Sequence, residues 1–347
     1  MASKTISIVY SSAFIPLALF LIAATSITII GIGLISPQIA MAQQQQPQAN
    51  LTSVQQQQLI DGLAFEMGNV TFRHHMASVN GIQMHYVIGG HGDPVVLVHG
   101  WPQTWYEWHK IMPALAKNYT VVAIDLRGIG ASSKPSTGND GNTRAEDIYQ
   151  LISQLGFQKI YLVAHDVGVN TAYPFAAMHP NNVSKLVILD AGVRGFTAYP
   201  PQFGTGQPWW FGFNQQPVAE TLTAGKERDY LSYIFKTASY NPDALTEAEI
   251  DKYVAAYSAP DGMRGGFEYY KSIPIDTQQN KEHAKTKLTM PVLALGAQMW
   301  GGEAVLNSMK LLATDVRGGG IPFTGHWIPE EQPVYLLNEL AKFFSGK

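Results

Sequence analysis

Five short runs, apolar at every position, recur along the chain: VVLV at 95–98, VVAI at 121–124, IYLV at 160–163, LVIL at 186–189 and VLAL at 292–295. A strand with one wet face alternates apolar and polar side chains. A run that is apolar on both parities has to be covered on both faces, which is the signature of a parallel sheet sandwiched between helices. Helical spacing fills the intervals. Residues 104–116 read as a helix, 143–155 (TRAEDIYQLISQL) as a second that stops at Gly156, 167–179 as a third and 333–344 as the last. Upstream, 71–78 and 82–87 flank Asn80-Gly81, a hairpin signal, and a further strand lies near 316–321. The pattern predicts a doubly wound, mostly parallel α/β sheet.

The alternation stops across 192–288, which holds no comparable strand run but many aromatics, among them Phe196, Tyr199, Phe203, Trp209, Trp210 and Phe211. Thr246-x-x-Glu249 is a capping box that opens a helix there. This stretch is expected to form a helical cap inserted after the sixth strand, over the strand carboxyl ends where such sheets bind their ligands. Most of its aromatics are expected to pack the cap's own core. The core is then 61–191 together with 289–347.

The first 42 residues are a separate object. Lys4 is the only charge before Asp61, the chain from 13 to 35 is nearly all apolar, and Ala40-Met41-Ala42 has the small-x-small form that signal peptidase cuts. The run exceeds the usual signal core and is long enough for a bilayer, so a cleaved signal peptide and a retained membrane anchor both stand. Either one exports everything after Ala42, and the membrane is touched only through this segment if it stays uncleaved. Residues 43–60 (QQQQPQANLTSVQQQQLI) form a Gln-rich linker with little to bury. Lys plus Arg number 23 against 26 Asp plus Glu, which leaves no basic surplus for nucleic acid. The absence of Cys removes disulfides, thiol nucleophiles and cysteine metal sites.

Chemistry concentrates where one strand runs into Ala164-His165-Asp166-Val167-Gly168 and then directly into a helix. Small-x-Asp-x-Gly at a strand-to-helix turn has the form of a nucleophile elbow, with Asp166 at the apex where Ser is usual. The plainer reading is that Asp166 caps the following helix. His99-Gly100-Trp101-Pro102 ends an earlier strand, where an elbow enzyme places one oxyanion-binding N–H (Trp101); Val167, next to the apex, supplies the other. Gly325-His326-Trp327 follows the last strand, in the chain order expected of a base. Asp125-Leu126-Arg127-Gly128-Ile129-Gly130 lacks the third Gly of a dinucleotide loop. His74 and His75 are neighbours on a strand and face opposite sides, and no other His has ligand spacing. Neither a metal nor a cofactor is expected.

Together, HGWP, the AHDxG elbow and GHW resemble the α/β-hydrolase fold, in the epoxide hydrolase and dehalogenase branch that uses an Asp nucleophile. VAHDVGVNTAYP at 163–174, GFEYYKS at 266–272 and FTGHWIPEE at 323–331 are most similar to the secreted Cif-like bacterial epoxide hydrolases. The resemblance implies Asp166 as nucleophile, His326 as base and Tyr270, second Tyr of FEYY, as ring-opening acid. The triad acid is Asp190, at the end of strand six, or Glu303; the usual position after strand seven holds Met299. His99, Pro102, Trp210 and Tyr269 are candidate substrate-binding residues, with Trp210 in register with the second lid donor. The substrate expected is a small apolar epoxide, opened to a vicinal diol, and a homodimer is possible within the family. A haloacid or haloalkane dehalogenase and a non-catalytic hydrolase-fold binder are the alternatives. The dehalogenase reading lacks the family's halide Asn and Trp (Trp101 and Val167 stand there) and its Arg residues after the nucleophile.

Overall fold

The computed structural model describes residues 60–196 and 208–346. The leader, the linker up to residue 59, Tyr199 and Phe203 lie outside the described residues. No helix among the described residues is long and apolar enough to cross a membrane.

Nine strands form one sheet: β1 (Ala64–Met67), β2 (Val70–Val79), β3 (Ile82–Gly90), β4 (Asp93–Val98), β5 (Tyr119–Ile124), β6 (Ile160–His165), β7 (Val183–Leu189), β8 (Val292–Ala297) and β9 (Val316–Ile321). Their order is β1-β2-β3-β5-β4-β6-β7-β8-β9. The pairs β1–β2, β2–β3 and β3–β5 are antiparallel and the rest parallel. Asn80 and Gly81, both at positive φ, close the β2–β3 hairpin with Val79 opposite Ile82. The sequence reading missed the edge strand β1, whose four residues alternate exposed and half-buried. The cap therefore follows the seventh strand, not the sixth.

β4 explains the doubly apolar runs. Val96 and Val98 join one hydrophobic layer with Ile148 and Leu151, while Val95 and Leu97 join another with Trp108 and Leu340. All four strand residues are fully buried, worth roughly 1.5–3 kcal/mol each relative to exposure. The core helices are α1 (Met112–Leu115), α2 (Gly141–Gln154) and α3 (Val169–Met178), with α10 (Gly302–Leu312), α11 (Ile328–Glu331) and α12 (Pro333–Phe344) after the cap. α2 opens on Asp140, whose carboxylate accepts the Thr143 N–H. It ends in a Schellman turn: the Phe157 N–H reaches Ile152 O and Gly156 takes φ +76°.

The helix expected over 104–116 is broken into a 3₁₀ turn (Trp105–Trp108) and the short α1. Pro113 lacks an N–H and its ring collides with a carbonyl one turn back, so it opens a helix and does not continue one. Between β7 and β8, six described helices build the cap: α4 (Trp209–Asn214), α5 (Ala219–Thr223), α6 (Glu227–Ala238), α7 (Glu247–Ser258), α8 (Gly262–Lys271) and α9 (Ile273–His283). The Thr246–Glu249 capping box is present at α7. β4 sits between β5 and β6, so the chain reverses its direction of winding there. The crevice at the carboxyl ends of β4 and β6 is the topological switch point.

Candidate active site

β6 delivers the chain into a 3₁₀ turn, Asp166–Gly168, that leads straight into α3. Asp166 has φ +49°, a left-handed conformation costly for a residue with a Cβ and typical of a functional turn. The flanking glycines make the turn possible. A Cβ on Gly168 would lie 2.6 Å from His99 O, and one on Gly100 would lie 2.5 Å from Asp166 Cβ. Asp166 does not cap its helix: α3 has no side-chain cap bond. Its Oδ1 accepts the Trp101 N–H at 3.0 Å, and its Oδ2 lies 3.1 Å from His326 Nε2.

The other ring nitrogen of His326, Nδ1, is 2.7 Å from Asp190 Oδ2. Asp190 ends β7 at φ +45° with its side chain fully buried. Its Oδ1 accepts the N–H groups of Ala297 at 2.6 Å and Gly301 at 2.9 Å. Glu303, the alternative acid, is turned elsewhere and accepts the Gly320 N–H at 2.8 Å. Met299 is partly exposed.

Both imidazole nitrogens of His326 thus face carboxylates, an arrangement that holds an imidazolium. Burial works against the charge, but Asp166 and Asp190 outweigh it and raise His326 to about 10. Burial likewise pushes Asp166 up, yet the His326 bond and charge hold its carboxyl at about 2. Three rings box the imidazole: His165 at 4.7 Å, Trp327 at 4.8 Å and Trp300 at 5.0 Å between centroids.

The cavity above Asp166 has a volume of about 70 Å³, and Val167, Trp210, Phe211, Tyr270 and Trp300 are among its walls. Tyr270 lies on α8, nearly fully buried. Burial first, and then the Asp166 charge, push its phenol well above the ordinary range, so it stays protonated. Among the described residues its hydroxyl has no hydrogen-bond partner. Trp210, on α4, packs on Trp300 at 5.7 Å.

Three candidates stand apart from the cavity. His99 is fully buried and spends both ring nitrogens on the backbone, accepting from Leu126 N at Nε2 and donating from Nδ1 to Gly100 O. Tyr269 donates to Arg127 O at 2.7 Å and carries the Arg144 guanidinium over its ring. It points from α8 toward the core because neighbours on a helix face different ways. Pro102, buried and joined to Trp101 by a cis bond, shapes the loop without lining the cavity. These three sit behind the cavity and do not line it.

Residues that sequence reasoning passed over complete it. Glu107, hidden in the supposed helix, is fully buried; its Oε2 accepts the Gly100 N–H at 2.8 Å and its Oε1 lies 3.0 Å from His165 Nδ1. His165 Nε2 in turn donates to His326 O at 2.8 Å. The Glu107 carboxylate thus lies between the loop that carries Trp101 and the ring that bonds the His326 backbone. Arg194, though absent from the helix after Asp166, does reach the cavity wall, 2.9 Å from Asp276 Oδ2, an oxygen it shares with Arg144 at 2.8 Å.

A family model described as the alpha/beta hydrolase fold matches residues 93–333. The chain is 37% identical over 290 residues to a soluble epoxide hydrolase of Corynebacterium sp., covering 78% of this chain and 97% of the relative. It is 29% identical over 288 residues to a fluoroacetate dehalogenase of a Burkholderia species, covering 79% and 94%. The crystal structure of wild-type Cfl2 from Burkholderia cenocepacia superposes with a TM-score of 0.73 at 37% identity, over 79% of this chain and 96% of that one. With an elbow, a sheet order and relatives that agree, the chain belongs to the alpha/beta hydrolase fold family, in the branch that holds epoxide hydrolases and dehalogenases.

Proposed function

We propose that the protein hydrolyses small, mostly apolar epoxides to vicinal diols through an ester on Asp166. The observation that carries this reading is an apical carboxylate shared between the Trp101 N–H and His326, facing the same cavity as a buried, protonated Tyr270. Asp166 Oδ1 stays on the Trp101 N–H, which leaves Oδ2 to attack a ring carbon. The C–O bond of the ring breaks, and the departing alkoxide takes the phenolic proton of Tyr270. Esterification removes the charge of Asp166. His326 then faces one carboxylate instead of two, loses its proton more readily and becomes a base. It takes a proton from water as the water oxygen adds to the Asp166 carbonyl carbon. The oxyanion forms on Oδ1, where Trp101 already donates and Val167 lies alongside. Collapse breaks the bond from the carbonyl carbon to Oδ2, which leaves as the diol's second oxygen and takes the proton of the newly added hydroxyl, so the carboxylate is restored. The proton that His326 shed before this step returns to the Tyr270 phenolate, and the one taken from water leaves His326 an imidazolium again.

A dehalogenase reading draws on the fluoroacetate dehalogenase relative and on Trp210, whose indole lines the cavity beside Tyr270. The epoxide reading is preferred because a basic alkoxide gains from a phenol's proton and a halide does not. The test is His326→Ala exposed to epoxides. One adduct by intact mass, mapping to Asp166, is expected, with diol formed by the unmodified protein. An adduct elsewhere, or halide released from fluoroacetate with no diol from any epoxide, overturns it. We also propose that the protein is exported by its apolar leader. Fractionation of the native cell with N-terminal sequencing is expected to give a start at Gln43 outside the cytoplasm, or Met1 on the membrane. A soluble intact chain inside the cell refutes it.

A further inference from the structure

The turn after β8, residues 297–301, serves two groups at once. Its Ala297 and Gly301 N–H groups hold Asp190 Oδ1, and a Cβ on Gly301 would come within 2.8 Å of that oxygen. Between them the turn projects Trp300. The indole ring lies against His326 at 5.0 Å, tilted by 42°, and against Trp210 at 5.7 Å. Its Nε1–H donates to Ala238 O at 3.0 Å, at the end of cap helix α6. The same carbonyl accepts the backbone N–H of His326 at 2.8 Å. The cap and the base therefore meet on one oxygen atom, and Trp300 is the side chain that touches the base, the cap carbonyl and the cap's substrate-facing Trp210.

We propose that Trp300 is a positioning residue that couples the seating of the cap to the orientation of His326, and so serves ester hydrolysis more than ester formation. The first step is carried by Asp166 and Tyr270, and Asp166 keeps its Trp101 N–H bond whatever the angle of the imidazole ring. The second needs His326 aimed at a water, and a displaced base loses rate steeply. The aromatic face also favours the imidazolium. The charged and titratable groups around that ring are Asp166 in front, Asp190 behind, and His165 with Glu107 to the side. Removal of the indole leaves all four in place.

The inference rests on the Asp166 ester, and its test separates the two. Trp300→Leu and Trp300→Phe are compared with the unmodified chain by single-turnover kinetics and by NMR titration of His326. Trp300→Leu is expected to slow ester hydrolysis by about tenfold or more while alkylation changes by less than about threefold, so that ester accumulates at steady state. Its His326 midpoint is expected to move down. Trp300→Phe, which keeps a ring and loses the N–H, restores the midpoint and part of the hydrolysis rate. Equal losses in both steps, or a midpoint unchanged in Trp300→Leu, overturn the proposal. If no ester forms in any of the proteins, the epoxide reading fails, and the His326 titration still decides whether Trp300 tunes the ring.

Discussion

At the scale of the residue, the site is a problem of charge balance. Two carboxylates and one imidazolium leave one net negative charge, which in the proposed reaction Asp166 brings to the ring carbon. Replacing Asp190 by Asn leaves His326 with a single carboxylate and an amide beside Nδ1. We predict that Asp190→Asn slows ester hydrolysis by about 10²-fold or more, whereas Glu303→Gln, bonded to Gly320 far from the ring, changes it little. Inactivation by Glu303→Gln with the fold intact would show the wrong acid had been assigned. The pH dependence splits the same way. Asp166, held at about 2, is ionised throughout the working range and Tyr270 stays protonated, so alkylation is expected to be flat from about pH 5 to 9. Hydrolysis requires neutral His326. It is expected to rise with pH through a midpoint below the resting value of about 10, because the ester has removed one of the two charges that raised it. Rapid-quench measurement of each step against pH decides the point; a shared midpoint would mean that one proton controls both. Asp166 and Asp190 were legible as candidates because each stands where an apolar strand run ends, and His326 because Gly325-His326-Trp327 follows the last strand. Glu107 and Trp300 were not, since their contacts with Gly100, His165 and Ala238 arise only when distant segments are folded together.

At the scale of the element, the position of α8 sets where the Tyr270 phenol stands. The helix rests on the Asp125–Gly130 loop at a backbone contact so close that a Cβ on Gly265 would lie 1.9 Å from Gly128 O. Gly128 has φ +85°, so the partner is constrained as well. Gly265→Ala must lift α8 away from the core. We predict a loss of about 1–3 kcal/mol in stability and a fall of roughly tenfold or more in alkylation, the step that uses Tyr270. Single-turnover alkylation and thermal unfolding measure the two effects; a stable protein with undiminished alkylation would show that α8 has room to spare. The doubly apolar strands, α2 with its Gly156 stop and the α7 capping box were readable because local residues determine them. The edge strand β1 and the split at Pro113 were not. β1 exists only because β2 offers it an edge, and the helical periodicity of 104–116 masked a break set by one proline ring.

At the scale of the whole molecule, the cap is held to the core by polar groups as well as aromatics, and this seam was invisible in sequence because it joins positions 77 to 227 residues apart. Its centre is Glu330, at the start of α11. Glu330 is buried, takes the Tyr253 hydroxyl on Oε1 at 2.6 Å from cap helix α7, and takes Gln103 Nε2 on Oε2 at 2.6 Å. The Tyr257 hydroxyl donates to Gln103 O nearby at 3.1 Å. Burial pushes the Glu330 carboxyl well above its ordinary range, and the Tyr253 bond pulls it back. A carboxyl raised on folding binds its proton more tightly in the folded state, so its contribution to stability falls as pH rises above the unfolded value of 4.5. Tyr253→Phe removes the group that lowers it and leaves Oε1 unpaired. The cost is expected to be about 1–3 kcal/mol at neutral pH, a loss of several degrees in Tm. The gap between variant and unmodified protein should narrow as pH falls through the raised folded value and be smallest below pH 4.5, where the carboxyl is protonated in both states. Thermal unfolding of both proteins from about pH 4 to 8 measures that gap. A gap that stays constant with pH would mean that Tyr253 contributes packing alone and that the seam does not hinge on the charge of Glu330.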